Sequence, residues 1–211
     1  MIVASPSLFG RFFWENFSAW SMRVCFRKVE YDRELKIAPD KALLLIGNHI
    51  SWWDGFWPMM LNKWFFRKEY HVMMLESELS KRLFMTKGGA FSINPGNRSM
   101  VETIRYTASL LENPANMVLM YPQGKIHSIY DDNFVFQPGL EKIYQRCTKP
   151  FQTVFFASMV DYGSFPRPLL RMYLSVYSGG FSAEEITQAY RQFYATARER
   201  QKQQVPAASE P

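Results

Sequence analysis

Cysteine is scarce in this chain of 211 residues: only Cys25 and Cys147 occur, far apart and in no C-x-x-C pair. That argues against a disulfide scaffold or a zinc site, and it suits a reducing compartment. No stretch of about 20 apolar residues is free of charge, so nothing here is expected to span a bilayer as a helix. The start of the chain lacks the basic segment and unbroken apolar run of a secretory signal. There is no G-x-S-x-G turn, and neither cysteine has a histidine near it in sequence, so no covalent nucleophile is marked out. Internal repeats and low-complexity linkers are absent as well, which makes a single domain the expectation.

What is present is apolar and basic. Hydrophobic residues make up 47% of the chain and aromatics 17%, which excludes a disordered chain. The aromatics are clustered and exceed what a core of this size needs, so some must line a pocket or an interface. The formal net charge of +6 fits partners that carry phosphate. Nucleic acid is the weak member of that class, because the aromatics sit in apolar runs rather than between Arg and Lys on a strand platform.

Along the chain, short apolar segments alternate with helical patterns. Residues 1–30 are expected to form an amphipathic helix, with Phe9, Phe13, Phe17, Trp20 and Val24 at helical spacing and Arg11, Glu15, Arg23 and Arg27 among the polar positions. Two readings stay open for it: a helix packed on the domain, or one lying in a lipid headgroup region. In residues 31–200, strands are expected at Ala42 to Ile46, His71 to Leu75, Phe91 to Ile93, Met117 to Tyr121, Thr153 to Val160 and Arg171 to Tyr177. Helices are expected at Ser51 to Phe66, Met100 to Leu111, Leu140 to Cys147 and from Ser182, where Glu185 completes a capping box. The polar tail, residues 201–211, is expected to be disordered. This alternation predicts an α/β fold with a mostly parallel central sheet flanked by helices.

In such folds working residues collect in loops beyond the carboxyl ends of strands. Asn48-His49 follows a buried strand directly, and histidine is the side chain best matched to general-base work near neutral pH. A carboxylate on one ring nitrogen fixes the tautomer and leaves the other nitrogen free to take a proton. Residues five apart on a continuous helix are separated by about 140°, so His49 and Asp54 meet only if the chain turns between them. Ser51 offers that turn as an N-cap, and the N–H groups at the helix start near it are candidate oxyanion donors. The same residues also fit a plain capping pair. Spacing alone does not decide, since His127 and Asp132 repeat the H-x4-D pattern.

The wider context is more specific. N-H-I-S-W-W-D-G, from Asn48, resembles the first sequence block of the glycerolphosphate and lysophospholipid acyltransferases, the PlsC-like family. Gly89 to Asn94, with Arg98 soon after, resembles the second block; Tyr121-Pro122-Gln123-Gly124-Lys125 resembles the third, usually F-P-E-G-T-R. The resemblance runs from about Ala42 to Val160. It implies His49 as base and Asp54 as its orienter, in direct acyl transfer from acyl-CoA or an acyl-carrier protein to a hydroxyl, with no acyl-enzyme and no cofactor or metal. It also implies acceptor contacts from Asn94, Arg98, Tyr121, Pro122, Gln123, Gly124 and Lys125. Such an enzyme is expected in the cytoplasm, peripherally attached to the inner face of a membrane, with a lysophospholipid or other lipid-like acceptor. Departures are concentrated in the later blocks: Gln123 replaces the usual glutamate, Lys125-Ile126 the threonine-arginine, and Pro95 the second block's arginine. They leave room for an alternative, an inactive family member that binds membranes. The aromatics from Trp52 to Phe66 fit an acyl-chain groove, a membrane face or ordinary core. His71 and His127 are expected to be structural.

Overall fold

The computed structural model describes residues 1–204; residues 205–211, most of the expected tail, lie outside the described residues. Five consecutive apolar residues followed by glycine make β2 (Ala42–Gly47), and every one of its residues is buried. It lies at the heart of a seven-stranded sheet ordered β1-β7-β6-β2-β5-β3-β4. The other strands are β1 (Lys28–Tyr31), β3 (Glu69–Leu75), β4 (Ala90–Ile93), β5 (Asn116–Met120), β6 (Phe151–Asp161) and β7 (Leu169–Tyr177). All neighbours pair in parallel except β6 and β7. The mostly parallel sheet expected from the sequence is therefore present, with β1 and β7 running against the rest.

Alternate side chains of the central strands serve two cores, as period-2 geometry requires. Leu44, Ile46, Val118, Met120, Phe155 and Ala157 face α4 (Ser99–Leu111), α5 (Gly139–Arg146) and α6 (Ala183–Gln204). Leu43, Leu45, Met117, Leu119, Val154 and Phe156 face α1 (Leu8–Cys25) and α2 (Phe56–Leu61). The sheet is thus covered by helices on both faces, which explains why its central strands read as continuous apolar runs.

Several local expectations are revised. β1 was hidden inside the expected N-terminal helix segment because K-V-E-Y is short, charged and at the sheet edge. The single helix expected from Ser51 to Phe66 is three pieces: a 3-10 turn (Trp52–Gly55), α2, and a π-turn (Asn62–Phe66) that ends at Arg67 with φ of 56°. A further short helix, α3 (Glu76–Leu79), and a 3-10 segment (Ser80–Gly88) link β3 to β4. At the other end, α6 begins with the expected Ser182–Glu185 cap but continues through Gln204. Gln201, placed by sequence at the start of the disordered tail, is buried and accepts the Tyr173 hydroxyl at 2.6 Å.

α1 packs on the domain through one face and leaves the other exposed. Gly10, Trp14, Ser18, Ser21 and Met22 are buried, while Phe9, Phe12, Phe13, Trp20 and Val24 are exposed. Most of the stripe of aromatics at helical spacing is therefore the outer face, and a narrower stripe containing two serines is the inner one.

β2 ends against bulk. A Cβ on Gly47 would lie 1.9 Å from Cε1 of the buried Phe156, directly before Asn48 and His49. Gly47→Ala is expected to lower the unfolding free energy by about 1–3 kcal/mol, the range for overpacking a core. Urea unfolding checks this; a midpoint equal to wild type would show that the contact is not tight.

Candidate active site

The end of β2 is pinned before the chain turns. The Asn48 side chain donates to the Ser158 carbonyl at 3.1 Å and accepts the Ser158 N–H at 2.9 Å, tying the strand end to β6. His49 follows in an irregular stretch, and the chain then enters the 3-10 turn capped by Ser51, whose Oγ accepts the Trp53 N–H at 3.2 Å. This turn is what lets residues five apart meet. His49 Nδ1 and Asp54 Oδ2 are 3.1 Å apart.

Asp54 Oδ2 also accepts the N–H groups of Ile50 at 2.6 Å and Ser51 at 2.9 Å. Capping pair and histidine partner are therefore not rivals: one oxygen does both. Two of its three donors are main-chain N–H groups, so Oδ2 is an acceptor and the shared proton of the third bond sits on Nδ1. Nε2 is then the unprotonated nitrogen, and it has no hydrogen-bond partner among the described residues. Asp54 has no exposed surface. Burial pushes its carboxyl above the ordinary value, opposed by the hydrogen bonds from His49, Ser51 and Ile50.

The walls of this arrangement are aromatic. The His49 ring lies almost parallel to Tyr121, 4.7 Å between centroids and 16° between planes. Tyr121 donates its hydroxyl to the Asp54 carbonyl at 2.7 Å, and Tyr70 donates to the next carbonyl, Gly55, at 2.6 Å. Burial raises both phenols well above their usual value, so they remain protonated donors. His49 also lines a cavity of about 430 Å³. Its other walls include Trp14, Phe56, Met59, Val72, Met74, Met85 and Ile93, with Lys125 and Glu78 among the few charged side chains. That volume falls in the range of about 300–1,000 Å³ usual for small-molecule sites.

The repeated H-x4-D pattern resolves differently. His127 pairs with Asp131 at 2.8 Å, not with Asp132, which binds Arg198 at 2.6 Å. Only the first occurrence brings histidine and the fifth residue together.

Comparison with known proteins gives the family and the fold. The family model described as Acyltransferase matches residues 28–158, more than half of the chain. The chain belongs to the acyltransferase family. The crystal structure of the 1-acyl-sn-glycerophosphate (LPA) acyltransferase PlsC from Thermotoga maritima superposes with a TM-score of 0.61 at 14% identity, covering 90% of this chain and 78% of that one. That likeness establishes a PlsC-like fold. Among curated proteins there is no match.

In this acyltransferase the remaining sequence-predicted residues separate into two groups. Tyr121, Gly124 and Lys125 line the cavity together with His49. Gln123 and Pro122 are buried, and Gln123 accepts the His49 main-chain N–H through Oε1 at 2.7 Å. Asn94 lies in an adjoining depression with Glu76, Ser77 and Pro95, which shares Leu75 and Ile93 with the cavity, and Arg98 is exposed and outside the cavity lining. Four of the N–H groups around Ser51 are already engaged: Ile50 and Ser51 by Asp54, Trp53 by Ser51 Oγ, and Asp54 by the Ser51 carbonyl. The N–H groups of Trp52, Lys125 and Ile126, all cavity-lining residues, have no acceptor among the described residues. Sequence reasoning missed Tyr70, whose hydroxyl bond depends on the β3–β5 pairing that brings it beneath the turn. For the Asn48 clamp a signal existed, a polar residue at a strand end, but its partner lies 110 positions away.

Proposed function

We propose that this acyltransferase moves a fatty acyl group from a thioester, acyl-CoA or an acyl-carrier protein, to a hydroxyl of a lysophospholipid or similar lipid. The observation that carries the reading is His49, tied through Nδ1 to Asp54 and free at Nε2, lining a largely apolar cavity. Nε2 takes the proton of the acceptor hydroxyl as its oxygen bonds to the thioester carbonyl carbon. The imidazolium so formed is stabilised by Asp54, the orienting role of a carboxylate in such pairs. Collapse of the tetrahedral intermediate breaks the carbon–sulfur bond, and the departing thiolate takes the proton back from Nε2. The products are an ester and a free thiol. The Trp52, Lys125 and Ile126 N–H groups, which line the cavity and have no acceptor among the described residues, are the donors best suited to the intermediate's oxyanion. The apolar walls suit the acyl chain, and the Lys125 ammonium suits an anionic acceptor headgroup.

The same proposal places the enzyme on a membrane, at its inner face. Phe9, Phe12, Phe13, Trp20 and Val24 project from α1, with Arg11 and Arg23 beside them. Trp53 stacks on Phe17 and Phe84 on Trp14, so this aromatic face continues to the cavity wall. Aromatics with flanking cations are the pattern of a helix lying in the headgroup region.

Thiol release from an acyl-CoA in the presence of lysophospholipids tests the reaction. His49→Ala and Asp54→Asn are each expected to cut turnover by about 10²–10⁴-fold, the usual contribution of a general base. A folded His49→Ala that turns over like wild type refutes the mechanism; a wild type inert toward every lysolipid leaves a membrane-binding protein without this activity. For the membrane, replacing Phe12, Phe13 and Trp20 by serine is expected to reduce co-sedimentation with anionic liposomes at least tenfold. Unchanged binding contradicts a role for α1.

A further inference from the structure

The loop between β5 and α5 grips His49 from both sides. Gln123 Oε1 accepts the His49 N–H at 2.7 Å, and the His127 N–H donates to the His49 carbonyl at 2.8 Å. Gln123 itself is only 7% exposed. Because the His49 N–H can only donate, the oxygen of the Gln123 amide is the atom that faces it and the amide nitrogen points elsewhere. Nothing else among the described residues accepts this N–H. Losing Oε1 would leave a partly buried donor unpaired next to the 3.1 Å contact between Nδ1 and Asp54, at a cost that movement of the histidine would relieve.

A glutamate here would form the same hydrogen bond but carry a charge. The groups that already surround His49 are few. Asp54 lies below it on the 3-10 turn, Tyr121 stacks on its ring from the end of β5, and Tyr70 reaches the same turn from β3. Lys125 and Glu78 line the cavity, and the His127–Asp131 pair follows on the loop. Asp54 is thus the single carboxylate among the described residues in hydrogen-bond contact with His49. We propose that Gln123 is a positioning residue for His49, anchoring its main chain without adding a second negative charge, and so sets the pH range in which this base works. The proposal rests on the acyl-transfer reading for its role, but its geometry can be tested without turnover.

The experiment follows the histidine ring signals of the full chain by NMR during a pH titration. The protein has three histidines, so His127→Ala and His49→Ala suffice to assign them. In Gln123→Glu, the His49 midpoint is expected to rise by about one unit or more relative to wild type, because a nearby opposite charge favours the protonated ring. The acid limb of kcat/KM should move to higher pH by the same amount, with the plateau kcat retained. In Gln123→Ala, kcat is expected to fall at least tenfold with KM for the thioester little changed, as misplacement of a catalytic group predicts. An unmoved His49 midpoint in Gln123→Glu overturns the charge argument, even if Gln123→Ala fails to fold. A plateau kcat as low in Gln123→Glu as in Gln123→Ala overturns the positioning role. An inactive wild type with a shifted midpoint would instead refute the acyl-transfer reading and leave this geometry standing.

Discussion

A single oxygen, Asp54 Oδ2, holds the candidate site together. It is fully buried and takes three donors: the His49 ring and the N–H groups of Ile50 and Ser51. A buried carboxylate persists only when such partners replace its lost hydration. Removing one partner of a buried charged pair typically costs about 3–5 kcal/mol. The arrangement therefore couples folding to chemistry. The bonds that cap the 3-10 turn also fix which histidine nitrogen carries the proton, and the turn in turn needs Tyr121 and Tyr70 on its carbonyls.

The rest of the fold delivers groups to that oxygen. β2 carries the chain to the site between two fully covered sheet faces, and the Asn48–Ser158 clamp stops it there. β5 brings Tyr121 under the histidine ring, and the loop after it returns Gln123, Lys125 and His127 to the same place. α1 and α2 roof the other face with aromatics, and the cavity left between them and β3 is largely apolar.

Much of this was legible in the residues. Continuous apolar runs marked β2 and β5, and the strand end at Asn48 marked the turn where His49 and Asp54 meet. The turn at Ser51 was inferable because a straight helix cannot bring His49 and Asp54 together. Less legible was anything set by distant pairing. β1 has the composition of a solvent-facing edge, and Tyr70 reaches the site only through a register that sequence does not display. Of the oxyanion donors expected near Ser51, the Ile50 and Ser51 N–H groups are the ones Asp54 needs for its own charge, which leaves Trp52, among the described residues, as the free N–H at that helix start. The resemblance of its block implied an acceptor contact for Gln123; the bond its oxygen makes, to the His49 N–H, depends on folding the loop after β5 back onto the strand end.

The most direct test is a crystal structure with a non-cleavable acyl thioether analogue of the donor and a lysophospholipid. The account predicts the acyl chain in the cavity lined by Phe56, Met59, Val72 and Met85. It further predicts the acceptor hydroxyl between His49 Nε2 and the carbon that replaces the thioester carbonyl, each about 3–3.5 Å away, as a reactive alignment requires. An acyl chain bound elsewhere, or an acceptor hydroxyl out of reach of Nε2, would contradict it.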